Sequence, residues 1–461
     1  MEVRRMHFCS GNIGKSIRLV FGMLGLFTMA AAQNSMPGVD ADPNQGMNAP
    51  PLTVTLQDAI ARARKNDPVY HAALTAYGSA KEDRVQGRAA LLPGVNYDAG
   101  FLYTQGNGTS TGRYVGANGV HEYLSKGNVH QDISLQGVAE YRRTRAAEAV
   151  ARARSEIAAR GLVVTVVQAY YHFVVAQRKY DTAQRAANQG RHFLDISQKL
   201  EQGGEVAHSD VIKAQILFQQ QQRDLQEAEL EMNRSRLDLA VLIFPDFNEH
   251  FSVVDDLQTP EPLPTFTEVQ TAAARQNPDL RAAAGALQEA RQEVGVAWSG
   301  FLPALKLDYF YGIDANHFAT RQFDPASQLS VRNFGYAATA TLQLPVWNWG
   351  ANRSRLKQAD LRREQAQLEL TFAQRQLLAR LRTLYDEAQI ARSELDSLNQ
   401  SAELAAEALR LTTLRYQSGE ATVLEVVDAQ NTSTLARNAF SDGQSRFRVA
   451  LANLQTLTGI F

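Results

Sequence analysis

The amino-acid sequence predicts a mainly α-helical chain that also contributes four strands to a membrane β-barrel, with the whole built by internal duplication. Three observations carry this reading. Two proline-free helical runs are far longer than an ordinary globular helix, four runs of strand length alternate apolar and polar residues, and one order of elements occurs twice.

The 461-residue chain begins with a segment expected to be removed. Arg4, Arg5, Lys15 and Arg18 precede the apolar run "LVFGMLGLFTMAAA", which ends in Ala30, Ala31 and Ala32. A basic start, a short apolar stretch and small residues before the cut describe a cleavable secretory signal over 1–32. The run is short for a membrane-spanning helix. The single cysteine, Cys9, lies inside the expected signal, so the exported chain needs no disulfide and has no cysteine positioned for lipidation. Residues 33–52 are expected to be a flexible linker.

Composition and motifs exclude several chemistries. A net charge of −1 offers no basic field for nucleic acid. "GNIGKS" at 11–16 ends like a phosphate-binding loop, but Cys9 stands at its required first glycine and no strand–helix unit follows. The nine histidines show no H-x-x-x-H spacing, and no serine sits in a G-x-S-x-G elbow. No catalytic residue, metal site or cofactor is expected, and the chain does not read as an enzyme.

The duplication is legible at both ends of each half. "NDPVYHAALTAYGSAKEDRVQGRAALLPGVNYDAG" from Asn66 is echoed by "QNPDLRAAAGALQEARQEVGVAWSGFLPALKLDYF" from Gln276, with Pro68 and Pro93 spaced as Pro278 and Pro303. "EQGGEVAHSDVIKAQ" (201–215) resembles "YQSGEATVLEVVDAQ" (416–430), aligning Gly204 with Gly419 and Glu205 with Glu420. The first repeat is placed at 53–245, a linker containing "TPEPLP" at 246–264, and the second repeat at 265–461. Each half reads as short helix, medium helix, strand, polar loop, strand, very long helix, break, medium helix. In each, one proline suits the first helical position and a second stops the helix before a strand.

The strands are expected at about 95–104, 128–138, 305–313 and 334–346. Val95, Tyr97, Ala99, Phe101 and Tyr103 share one face; so do Leu305, Leu307, Tyr309, Tyr311 and Ile313. Each is about ten residues, the length that crosses a bilayer when tilted. The long helices span about 139–202 and 350–417. In the second, Leu377, Leu381, Leu384, Ala388, Ala391, Leu395, Leu398, Ala402, Ala405 and Leu409 recur at four–three spacing, a heptad seam. At 1.5 Å per residue such a helix is roughly 100 Å long. The medium helices, about 69–91 and 207–243 in the first half, would stack end to end beside it.

Four strands cannot close a barrel, and an open sheet edge is not tolerated in lipid. Two copies would give eight strands and three would give twelve; spacing alone does not choose. Trp347 and Trp349, in "LPVWNWG", fall where the last strand passes into the long helix and suit a membrane–water interface. The alternative is a secreted, non-channel coiled-coil protein with surface hairpins.

The duplicated helix–strand–strand–helix order, Leu92-Pro93 and Leu302-Pro303, the "LPVWNWG" passage and the paired "G-E…A-Q" breaks together resemble the TolC-type outer membrane efflux proteins. The resemblance spans about 53–461. It implies a homotrimer with a twelve-stranded outer membrane barrel over a periplasmic coiled-coil tunnel. Its partners would be a periplasmic adaptor, an inner-membrane pump and outer membrane lipid. The chain would then passively conduct substrates in an efflux or type I secretion system. Carried over residue by residue, Glu425 and Asp428 match an acidic ring at the tunnel entrance, and Tyr416 and Asp210 match a gate hydrogen bond. Three copies would crowd those carboxylates around one axis, favouring cations and raising some carboxyl pKa values. Gly204, Glu205, Gly419 and Glu420 match the hairpin tips where adaptors dock. Pro93, Pro303 and Pro345 mark helix–strand transitions. Ala421 replaces a basic gate residue sometimes found there, and the usual "F-D-G-G"-like strand end reads "W-N-W-G".

Overall fold

The computed structural model describes residues 52–103, 121–246, 250–258, 262–315, 317–324 and 328–459, all within one unit, Pro51–Phe461. The expected signal, its linker up to residue 51, the first polar loop and part of "TPEPLP" lie outside the described residues, and the linker's last residue, Leu52, opens β1.

The first half runs β1 (Leu52–Val54), α1 (Leu56–Asn66), α2 (Pro68–Ala89), β2 (Gly94–Tyr103), β3 (His121–Ile133), α3 (Leu135–Gln202) and α4 (His208–Ile243). The second runs β4 (Phe251–Val253), α5 (Phe266–Gln276), α6 (Pro278–Ser299), β5 (Ala304–Ala315), β6 (Arg321–Asp324), β7 (Leu329–Arg332), β8 (Phe334–Gln343), α7 (Ala351–Gln417) and α8 (Val423–Thr458). Matching elements have nearly matching lengths: α3 and α7 hold 68 and 67 residues, and α4 and α8 hold 36 each.

Local chemistry sets the same boundaries twice. Thr55 with Asp58, and Thr265 with Glu268, form reciprocal capping boxes at the starts of α1 and α5. Asp67 and Asn277 then cap α2 and α6, each ahead of a proline in the first turn. The medium helices do stack: α2 and α4 both pack along α3. At their junction Asn66 Nδ2 donates to the Ile243 carbonyl at 2.8 Å, and in the second half Asn277 donates to Leu457. Arg160 satisfies carbonyls at two helix ends, Thr456 at 2.9 Å and Gln276 at 3.2 Å.

The main core is a belt around the middle of α3. Val163, Val167, Tyr170 and Val174, which the helical period sets on one stripe of α3, are each at most 2% exposed. They pack with Ala59 and Ile60 of α1, Leu239 and Ile243 of α4, and Phe251 of β4. The parallel pairing of β1 with β4 was not anticipated; three-residue strands carry too little alternation to read. Tyr170 Oη fastens this pair by donating to the Val254 carbonyl at 2.6 Å. One window of α3 is apolar enough to pass for a membrane span by composition, but its apolar residues fill this belt.

The four long strands form one antiparallel sheet in the order β2-β3-β5-β8. β3 begins earlier than expected, at His121 rather than 128, and two strand ends fall short. β3 stops at Ile133 rather than 138, because Ser134 Oγ accepts from the Gly137 N–H and starts α3. Apolar Leu135 thus continues the alternation by chance while already helical. β8 stops at Gln343 rather than 346, since Pro345 has no N–H for a ladder. The second polar loop carries its own hairpin, β6–β7.

The register gives the sheet two unlike faces. Lys126, His130, Asp308 and Asp314 share one, where Lys126 Nζ meets Asp314 Oδ2 at 3.1 Å and His130 Nδ1 meets Asp308 Oδ1 at 2.7 Å. The other carries stacked Tyr309–Tyr336, edge-on Tyr311–Phe334 and tilted Phe101–Tyr123, with centroids 6.2, 4.8 and 4.9 Å apart. Tyr97 and Tyr336 on that face are 71% and 76% exposed. β2 and β8 each pair along a single edge within the chain.

Candidate functional site

The end of the helices remote from the sheet holds two hairpin turns of one design. Leaving α3, the chain passes Gly203 and reverses at Gly204, φ 76°. The Glu205 N–H donates to the Leu200 carbonyl and the Gly204 N–H to Glu201, both at 2.9 Å. Leaving α7, Gly419 takes φ 75°; Glu420 donates to Arg415 at 2.8 Å and Gly419 to Tyr416 at 3.1 Å. Both are Schellman closures, in which a left-handed residue lets two amides satisfy the last helical carbonyls. A Cβ on either glycine would meet nothing within 4 Å, so backbone conformation alone demands glycine there.

The two turns pack on each other. A cavity of about 240 Å³ between them is lined by Glu205, Asp210, Tyr416, Gly419 and Ala421, among others. Tyr416 and Val423, in its apolar floor, pack with Phe193, Ala214, Leu217 and Val426 behind them. Ala421 leans into this cluster, while the cation of the turn is Arg415. Its guanidinium donates to the Glu420 carbonyl at 3.1 Å and lies 3.5 Å from Glu425.

The gate hydrogen bond is a correction. Tyr416 and Asp210 do share the cavity, but the Tyr416 hydroxyl pairs with Ser197 Oγ at 2.9 Å. Asp210 turns to Lys213, one turn along its own helix, at 3.1 Å. The ring of Tyr416 is 2% exposed and lies 5.0 Å from Phe193, which aims its hydroxyl along α3. Burial pushes the Tyr416 phenol above its usual pKa, with Asp210's charge adding and Ser197 opposing. Because Ser197 Oγ also donates to the Phe193 carbonyl, Tyr416→Phe leaves it satisfied and is expected to cost about 1 kcal/mol. Tyr416→Ala, which also empties the floor, is expected to cost about 3–5 kcal/mol. Amide exchange across 416–426 measures both; equal exchange in the two variants would remove the ring from this role.

Glu425 and Asp428 lie exposed on α8, one turn apart. Glu425 also closes the start of its helix, forming a reciprocal capping box with Thr422. The Thr422 amide, then its hydroxyl, then Arg415 hold the Glu425 carboxyl below its usual pKa. The expected rise from crowding is an effect between copies; within one chain the groups that shift the Glu425 carboxyl downward are the Thr422 donors and Arg415. Threonine three residues before glutamate is the legible signal for this cap. Ser197 had none. A second polar contact went unseen behind the tips: Gln221 Nε2 donates to Gln430 Oε1 at 2.9 Å, buried between α4 and α8. Gln221 lies against Gly190 so closely that a Cβ there would collide with its amide.

At the opposite end, Pro93 and Pro303 each stand one residue before a strand. Pro345 begins the passage to α7, where Trp347 and Trp349 meet edge-on at 5.8 Å and are 75% and 90% exposed. Trp349 has φ 54° and Gly350 φ 82°, a left-handed pair that swings the chain from sheet into helix. Among the described residues, no three His, Cys, Asp or Glu side chains gather to hold a metal ion.

Comparison with known proteins places this geometry. The chain is 24% identical over 422 residues to the alkaline protease secretion protein AprF of Pseudomonas aeruginosa, covering 88% of this chain and 84% of that one. It is 27% identical over 418 residues to the outer membrane protein TolC of Vibrio cholerae, covering 88% and 90%. Among solved structures, the Campylobacter jejuni CmeC outer membrane channel superposes with a TM-score of 0.75 at 17% identity, covering 88% of this chain and 85% of that one. The Vibrio cholerae outer membrane protein VceC gives 0.73 at 20% identity, covering 88% and 96%. The profile of the outer membrane efflux proteins matches residues 59–243 and 269–460. With both halves matched, this chain belongs to the outer membrane efflux protein family.

Proposed function

We propose that three copies of this chain form the outer membrane channel of a tripartite efflux or type I secretion system. The channel passively conducts substrates delivered by a periplasmic adaptor and an inner-membrane pump. The observation that carries this reading is the four-stranded sheet, aromatic on one face and charged on the other, with both edges unpaired among the described residues. Such a sheet fits lipid outside and water inside only once its edges close, and three copies give twelve strands around an open lumen. Trp347 and Trp349 would sit at the periplasmic interface.

The helices support the same assembly. α3 lies between α2 and α4 on one side and α6 and α8 on the other, with α7 at the far edge. That edge exposes Leu361, Leu368, Phe372, Leu404 and Leu411, and α4 exposes Ile212, Ile216 and Leu230. Neighbouring copies would cover these rows. Gly204, Glu205, Gly419 and Glu420 would meet the adaptor, and the Glu425 and Asp428 carboxylates would ring the entrance. An amino-terminal signal, removed on export, would deliver the chain to the periplasm.

The test combines fractionation, native mass and planar-bilayer conductance. The expected result is a detergent-stable trimer from outer membranes that conducts ions. A soluble monomer without conductance would return the chain to the secreted coiled-coil reading.

A further inference from the structure

We propose that the β6–β7 hairpin binds a phosphate group of an anionic lipid headgroup in the outer leaflet, held between Arg321 and Arg332. This rests on the membrane placement just argued.

Among the described residues the hairpin stands apart from the four-stranded sheet, pairing only with itself. Its register sets Arg321 directly opposite Arg332. Opposed residues of an antiparallel pair have Cβ atoms roughly 5 Å apart, and like charges so placed destabilise the pair. Both arginines are exposed, and among the described residues neither guanidinium makes an ion pair. The base of the hairpin is nonetheless held: the Asn333 N–H donates to the Thr320 carbonyl at 3.0 Å, and Asn333 Nδ2 to Gln322 Oε1 at 3.4 Å. An anion between the two forks would turn mutual repulsion into attraction. Planar guanidinium groups match phosphate oxygens two bonds at a time.

Position selects the source of the phosphate. Phe318, just before the hairpin, lies 6.1 Å from Tyr123, which lies 4.9 Å from Phe101. Phe101 and Tyr123 belong to the aromatic face of the sheet, at the strand ends remote from the helices. The root of the hairpin therefore leans over the lipid side of the wall, at the level of an interfacial aromatic girdle. Phe323, two residues beyond Arg321 and thus on the same face of the strand, is 66% exposed, and Phe318 is 65% exposed. Two cations beside exposed aromatic rings suit a phosphorylated lipid, whose apolar part lies alongside its charge.

The experiment compares wild type, the double variant Arg321→Gln/Arg332→Gln, and Arg353→Gln, which removes an exposed arginine at the start of α7. Each trimer is placed in phosphatidylcholine nanodiscs doped with lipid A, released into detergent, and weighed by native mass spectrometry. Wild type and Arg353→Gln are expected to retain lipid A. The double variant is expected to retain about tenfold less, since each hydrogen bond to an ionised group is lost. Equal retention by the double variant, equal retention of dephosphorylated lipid A by wild type, or an equal loss in Arg353→Gln would overturn the proposal. So would displacement of lipid A by inorganic phosphate at matched concentration, which would assign the forks to the free ion. Conductance is recorded in parallel in phosphatidylcholine alone. A wild type that neither inserts nor conducts overturns the channel reading. A conducting wild type whose lipid retention ignores the arginines overturns only this inference.

Discussion

Gly312→Ala is expected to break the barrel sheet at its centre. Gly312 lies on β5 opposite Lys126 of β3, and a Cβ there would collide with the Ser125 carbonyl oxygen and the Lys126 Cα. These are backbone atoms of the neighbouring strand, so no side chain can swing away, and the two strands must separate. The same separation would pull Lys126 from Asp314 and from the Phe310 ring, 4.7 Å from its ammonium. Overpacking of this kind costs on the order of 3 kcal/mol where the neighbour cannot relax. The midpoint of urea unfolding should fall, and less trimer should reach the outer membrane fraction. Gly335→Ala, on the adjacent strand β8, is the matched control: its Cβ would meet nothing within 4 Å, and little change is expected. An unshifted midpoint in Gly312→Ala would mean that the β3–β5 spacing is looser than the register implies.

The second large effect is expected at the proposed entrance. The pair Glu425→Gln/Asp428→Asn removes two carboxylates from each copy while leaving the tip folded, because glutamine also serves at the third position of a capping box. Cation-over-anion selectivity should collapse, and block by multivalent cations should weaken by about tenfold, since rings of acids set such selectivity. Asp428→Asn alone should carry part of the effect with the cap untouched, which separates charge at the axis from helix stability. The pH dependence follows from the Glu425 carboxyl being held low in the folded state. Its stabilisation is complete above the unfolded carboxylate pKa and is lost as pH falls through the lower folded value. Amides of the first turn of α8 should therefore stay protected through the ordinary carboxylate range and exchange faster only below it. Unchanged selectivity in a trimeric double variant would place the constriction elsewhere.

The large features were legible because each repeats a short-range rule many times. The seam through Leu381, Ala388 and Ala391 states its period over several turns, and all three residues are at most 1% exposed. Gly204 and Gly419 could be read because a left-handed helix end nearly demands glycine. What escaped depends on distant contact or on very short elements. Nothing beside Ser197 marks it as the partner of Tyr416, 219 positions away. Gln430 was visible as a repeated residue, but it pairs with Gln221, which is not its repeat counterpart. The β6–β7 hairpin is built from strands of four residues, too few for alternation to stand out among turn residues. Leu135 misled in the other direction, because one apolar residue satisfies either period until Ser134 ends the strand.

The twin turns also differ in how their helices restart. α8 begins with the Thr422–Glu425 box, whereas α4 begins after Ala207 with no side-chain cap. The α3–α4 joint is tied across the turn instead, with His208 Nδ1 2.6 Å from Glu201 Oε1. After duplication, then, the copies kept the reversal and changed its fastening, one inside the new helix and one back across the joint. A substitution that undoes either fastening leaves its duplicate's in place.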